Sequence, residues 1–127
     1  MIRPAWLGWV VGFIGIVTMV TGAVQMAFPA FVLKIVGGET GPASTHFFAI
    51  VGMFMALFGG LALHGVVAGS APALLWSGLQ KLGAVAAVAL GIHHGVFSPV
   101  ATPVAVFDLV SGLLILLYCW KVGAANR

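Results

Sequence analysis

Apolar positions in this chain come in long unbroken runs, without the alternation of a half-buried strand. Four runs stand out: Trp6–Phe28, Ser44–Val67, Pro72–Phe97 and Pro103–Val122. Each reaches the roughly 20 residues a helix needs to cross the hydrocarbon layer of a bilayer. Inside lipid the backbone finds no water to bond, so a continuous run closes its own N–H and C=O groups as a helix. The breaks between runs carry turn chemistry. Pro29 ends the first run, and "VGGETGPAS" supplies Gly37, Gly38, Gly41 and Pro42 before the second. "AGSAP" puts Pro72 at a helix start, and "FSPVATP" turns the chain into the fourth run. The longest connection, Pro29–Ala43, holds "FVLKIV", which is expected to lie flat at the membrane interface. One basic residue followed by an apolar run imitates a secretory signal, but Trp6–Phe28 outruns the core of about 7–15 residues of such a signal. It reads as a span. The pattern predicts an all-α, integral-membrane four-helix transmembrane bundle, one domain over residues 1–127.

Composition agrees. Hydrophobic residues make up 62% of the chain and charged residues 6%, against about 25% charged in a soluble domain. Such a chain cannot cover a water-facing surface, so the lipid bilayer is its expected partner. The formal net charge is +3, but the bases are scattered, which gives no footprint for nucleic acid. They do bear on orientation. Call the face that holds the N-terminus side A; an even number of spans returns the C-terminus to it. Side A then carries Arg3, Lys121 and Arg127, and side B carries Lys34 with Glu39. Positive residues prefer the cytoplasm, so both termini are expected there, N-in and C-in. Trp6, Trp9, Trp76 and Trp120 all fall toward side A, as an interfacial aromatic belt would. Cys119 is the sole cysteine; it excludes an intrachain disulfide and reads as a small packing residue.

Small residues recur at four-residue spacing: Gly8 and Gly12, then Gly52, Ala56 and Gly60, then Gly83, Ala87, Gly91 and Gly95. Small faces let helices approach closely in lipid. Packing inside one bundle is the favoured reading of these stripes, and self-association or contact with another membrane protein is the other.

Sequence position also translates into depth, at about 1.5 Å per residue. Gln25, His46, His93 and His94 fall within roughly 3–6 Å of side B, and Asp108 about 7–8 Å in. Gln80 and Lys81 lie about 12–14 Å in from side A, and His64 near that side. A charge at such depth demands a partner. Helical side chains lean toward their own N-terminus, which sends Lys81 toward side A and Asp108 toward side B. On that ground Asp108 is expected to join His46, His93, His94 and Gln25 in one polar layer, and a direct Lys81–Asp108 pair is disfavoured. His94 shares a stripe with Gln80, Gly83 and Ala87, so it is the histidine expected to face inward. Lys81 and Gln80 are expected at a cytoplasmic-facing cavity or snorkelling to the interface.

The ligand-binding or proton-relay candidates are thus Asp108, His94, His93, His46, Gln25, Lys81 and Gln80. Histidines with a carboxylate suit zinc, copper or nickel, and His94, His46 and Asp108 are the set such a metal would use. Two histidines on different helices could also clamp a haem. No spacing is diagnostic of either, and no catalytic residue is assigned.

Glycine-rich "HFFAIVGMFMALFGGLALHG" as second span, "GIHHGVFSP" closing the third, and a short final span resemble the DoxX-like group of small four-helix membrane proteins. The resemblance covers roughly the second half of the chain and rests on pattern; Lys81 and Asp108 depart from it and map onto none of its positions here. It implies a four-helix bundle in a bacterial inner (plasma) membrane, and some relatives are accessory subunits of quinone-linked oxidoreductases. The favoured function is a non-catalytic accessory subunit of a larger membrane complex, which the small-residue ridges and minimal loops fit because little soluble surface is left for anything else. A second reading is a binder or carrier of a small lipophilic molecule, such as a quinone, or of a proton or metal. An intramembrane enzyme comes last, because no nucleophile–base pair, metal motif or cofactor fingerprint is present.

Overall fold

The structure, a computed structural model, describes residues 5–127. Among them it is helical, without strands. Helix α1 spans Ala5–Ala27, α2 Pro29–Ile35, α3 Pro42–Ala68, α4 Ala71–His93 and α5 Thr102–Ala125, the last led in by a 3-10 turn at Pro99–Ala101. Four of these, all but α2, are long and apolar enough to cross a membrane. Arg3, counted above among the side A charges, lies outside the described residues.

Proline sits in the first turn of α2, α3, α4 and α5, where its missing N–H has no intrahelical partner to lose. Ser70 caps α4 by accepting from the Ala73 N–H at 3.4 Å. The expected "FVLKIV" segment forms the short helix α2. The third run ends earlier than its apolar pattern implied, at His93 rather than Phe97. Gly95 adopts a left-handed φ of +74°. Its N–H donates to Ile92 O at 3.1 Å, and the Val96 N–H reaches back to Gly91 O at 2.8 Å. That is a Schellman stop, which apolarity cannot override. The Phe97 ring then folds back onto Gly91.

The bundle is made of two antiparallel hairpins, α1 with α3 and α4 with α5. Glycine backbone sets the first. A Cβ on Gly22 would stand 2.5 Å from Ala56 N and 2.6 Å from Gly52 O; one on Gly59 would stand 2.6 Å from both Gly15 O and Met19 N. Gly15 and Gly22 therefore lie on Gly59 and Gly52, seven residues apart on each helix. The expected stripe of Gly52, Ala56 and Gly60 is corrected by one position, since the backbone contact runs through Gly59. The α4 stripe is corrected further. Gly83 and Gly95 have open space where a Cβ would go, so these two do not pack inside the bundle.

The two hairpins meet at side A. Leu7, Val11 and Ile14 of α1, Leu74 of α4 and Ile115, Tyr118 and Val122 of α5 form one buried cluster there. Polar ties reinforce it: Cys119 Sγ donates to Ala71 O at 3.2 Å, and Asn126 Nδ2 donates to Gly69 O at 3.0 Å. Trp6, Trp9, Trp76 and Trp120 ring this end with their indoles exposed, as a lipid-facing belt requires.

Candidate functional site

Toward side B the hairpins part. Helix α4 buries Ala73, Leu74, Ser77, Gly78 and Lys81 and then nothing more. From Ala84 onward, with Ala87 and Val88, it lines a cavity of about 720 Å³. The opposite walls come from Val17, Thr21 and Gln25 of α1, Phe48 and Met55 of α3, and Val104, Phe107 and Asp108 of α5. Helix α2 contributes Phe31, Val32 and Ile35. Its C-terminal turn is pinned in place, because the Ser98 N–H donates to Val36 O at 3.0 Å and Gly37 lies directly against Ser98. Phe97 packs near Phe48, with ring centroids 6.5 Å apart. The connection after α4 and the connection after α1 thus lock together under the space they enclose. Val20, Val24, Val104 and Phe107 line it while remaining open to the surroundings, so α1 and α5 frame a lateral opening toward lipid.

Asp108 and Lys81 lie together in this mostly apolar lining. Lys81 Nζ donates to Asp108 Oδ1 at 3.1 Å, and the two side chains are 6% and 11% exposed. The ammonium also sits 5.1 Å from the centroid of the Phe107 ring. This overturns the expected grouping, in which Asp108 left Lys81 for the side B histidines. The reason is register. A Cβ on Gly112 would stand 3.1 Å from Lys81 Cβ, so Lys81 sits level with Gly112, one turn along α5 from Asp108. One turn is about 5.4 Å, within the reach of a lysine stem that climbs toward its own C-terminus. Counting residues from the helix ends overstated that offset, because the axial register of α4 on α5 is fixed by the packing of Lys81 against Gly112 and not by where the helices begin.

The histidines go elsewhere. His46, His64, His93 and His94 are all exposed, and none lines the cavity. His94 is the C-cap of α4, past the last residue that keeps the helical stripe, and its ring lies 5.3 Å from that of His93. The expectation that His94 faces inward on the Gln80–Gly83–Ala87 stripe is corrected: Gln80 and Ala87 line the cavity, Gly83 and His94 do not. Among the described residues no three of His, Cys, Asp and Glu converge as a metal would require, so His94, His46 and Asp108 form no centre. Nor does the cavity wall offer a histidine from each of two helices to clamp a haem. Gln25 does belong to the site. It is buried, lines the cavity, and its Nε2 donates to Phe48 O at 3.0 Å, fastening α1 to α3. Of the seven candidates, then, Asp108, Lys81, Gln80 and Gln25 come together, and the three histidines do not.

Compared with protein-family models, curated proteins and solved structures, the chain has no significant match.

The chemistry of the site follows from its own groups. Asp108 offers one carboxylate oxygen to Lys81, and Lys81 gives one of its three N–H donors in return. Among the described residues every fully buried side-chain nitrogen or oxygen has a partner. Among the described residues no donor reaches the second oxygen of Asp108, so that oxygen is not fully buried, and its residue lines the cavity. The pair is a fixed dipole with spare hydrogen-bonding capacity in an apolar chamber. Sequence reading missed the rest of the lining, above all α2 and Phe107. The signals were present: an apolar segment in the longest loop, and an aromatic ring next to the one deep carboxylate.

Proposed function

We propose that this protein binds or carries a small lipophilic molecule within the membrane, taken into the side B cavity from the surrounding lipid. The observation that carries this reading is the buried Lys81–Asp108 pair in the wall of a mostly apolar chamber of about 720 Å³. Chambers of roughly 300–1,000 Å³ with a few placed polar groups are typical small-molecule sites. Intramembrane charges are costly and mark functional sites by default, and recognising the polar end of a ligand is a function that suits this pair. Both termini belong on the cytoplasmic side in this reading, since Lys121 and Arg127 share side A, and the cavity then lies in the outer half of a bacterial inner membrane. The test is direct. Protein purified in mild detergent is extracted with organic solvent, and its co-purifying lipophiles are identified by mass spectrometry. The same is done for Ala84→Phe, which fills the chamber. A lipophile present in the parent and lost from the variant supports the proposal; an identical extract from both sinks it.

A second reading, an accessory subunit of a larger membrane complex as in the DoxX-like group, is favoured by the lipid-facing side of α4. Gly83 presents bare backbone there with nothing against it, a surface suited to a close helix partner. Co-purification of a larger protein, lost in Gly83→Leu, is the outcome that reading requires.

A further inference from the structure

Resting on the binding proposal, we infer that the cavity selects uncharged lipophiles whose polar end both donates and accepts a hydrogen bond, as an alcohol or a primary amide does, and rejects lipophilic anions and cations.

The argument starts from charge. Among the described residues, Lys81 and Asp108 are the only formally charged ones in the cavity lining, and they neutralise one another at 3.1 Å. Gln25, Gln80 and Thr21 add polarity to the lining without charge. A ligand bearing a net charge would leave that charge unbalanced in a medium where no water replaces its lost hydration, and such burial is heavily penalised. To recover, it would have to pull Lys81 or Asp108 away from its partner and strand the other. An uncharged polar end meets no such penalty.

The geometry then narrows the class. Among the described residues one carboxylate oxygen of Asp108 has no donor and Lys81 spends one of its three N–H groups on the pair, so the pair can still take one donor and one acceptor. A hydroxyl or a carboxamide supplies both from adjacent atoms, so it can bridge the pair without breaking it. An ether or ester accepts only and leaves Asp108 unsatisfied. Phe107 contributes as well: its ring, 5.1 Å from the ammonium, adds a second attraction that helps keep the cation in place when the ligand arrives. The remaining wall is aliphatic or aromatic and fits a hydrocarbon tail.

The experiment uses the full chain in phosphatidylcholine nanodiscs. The probe is dodecanol carrying a photoreactive diazirine at the tail end, with labelled residues mapped by mass spectrometry. Competitors are unlabelled dodecanol, dodecanamide, dodecyl sulfonate and dodecyl trimethylammonium, the last two permanently charged. The expected result is labelling at lining residues such as Val24 and Met55. Dodecanol and dodecanamide should displace the probe, and the two ions should do so at least about tenfold more weakly, which corresponds to about 1.4 kcal/mol. Breaking neutrality should switch the preference. Asp108→Asn leaves a lone cation and should bring the sulfonate level with or ahead of dodecanol; Lys81→Gln leaves a lone carboxylate and should do the same for the trimethylammonium. Where a single variant fails to fold, the double variant Lys81→Gln/Asp108→Asn restores neutrality and should keep the parent ranking. Displacement by both ions as effective as by dodecanol overturns the head-group inference while the cavity still binds. Labelling confined to outward residues such as Phe13 and Leu57, with none in the lining, overturns the binding proposal itself.

Discussion

Replacing Lys81 by methionine removes the ammonium and keeps most of the stem, so the perturbation falls on one interaction. That interaction is large. Opposite unit charges 3.1 Å apart attract by about 5 kcal/mol at an effective dielectric of about 20. Desolvation offsets much of this in the intact pair, which is why a buried ion pair adds little net stability. Removing one partner is different, because the other stays buried and unpaired; such changes cost about 3–5 kcal/mol. Asp108→Asn should therefore cost a similar amount. If the two sites acted independently, the double variant Lys81→Met/Asp108→Asn would lose about 6–10 kcal/mol, which would consume most of the stability of an ordinary domain. With the pair intact in the parent, the double variant strands no charge and should lose no more than about 1–2 kcal/mol. Reversible unfolding in mixed micelles, titrated with a denaturing detergent and followed by helical circular dichroism, measures all four corners of this cycle. Additive losses, with a coupling energy below about 0.5 kcal/mol, would refute the pairing and return Lys81 and Asp108 to separate environments.

Other outcomes follow from the packing. Gly22→Ala should destabilise by about 1–3 kcal/mol, because its new methyl meets the α3 backbone on two sides; Gly83→Ala, in open space, should gain about 0.5–1 kcal/mol from helix propensity. Unfolding midpoints that do not separate these two would remove the glycine seam from the account of the α1–α3 hairpin. His46→Ala, His93→Ala and His94→Ala should each shift stability by less than about 0.5 kcal/mol and leave cavity labelling unchanged, as expected of exposed side chains. A loss of labelling in any of them would mean that a histidine does face the ligand. Tryptophan fluorescence should be quenched most by lipids brominated near the headgroup and least by lipids brominated at the chain ends, since all four indoles ring one interface. Equal quenching at all depths would break that placement.

The spans, their number and the turns between them were legible in the chain itself, each boundary within about four residues. Run length against bilayer thickness is a local property, and proline and glycine mark breaks locally as well. The tryptophan end of the bundle was legible for the same reason. So were four of the five polar residues of the cavity, Gln25, Gln80, Lys81 and Asp108 but not Thr21, as candidates, because a polar group at depth is conspicuous in an apolar run.

Which of them meet was decided only in three dimensions. Depth read from residue number is a single coordinate; contact needs two more, the rotation of each helix about its axis and the axial register between neighbours. In water the rotation is written in the sequence, since one face is polar. In lipid both faces are apolar, and that signal is missing. Rotation and register are then set by where backbones can close, at Gly15 and Gly22 on Gly59 and Gly52, and at Gly112 beneath Lys81. Those contacts turned the histidines outward and brought the lysine level with its carboxylate.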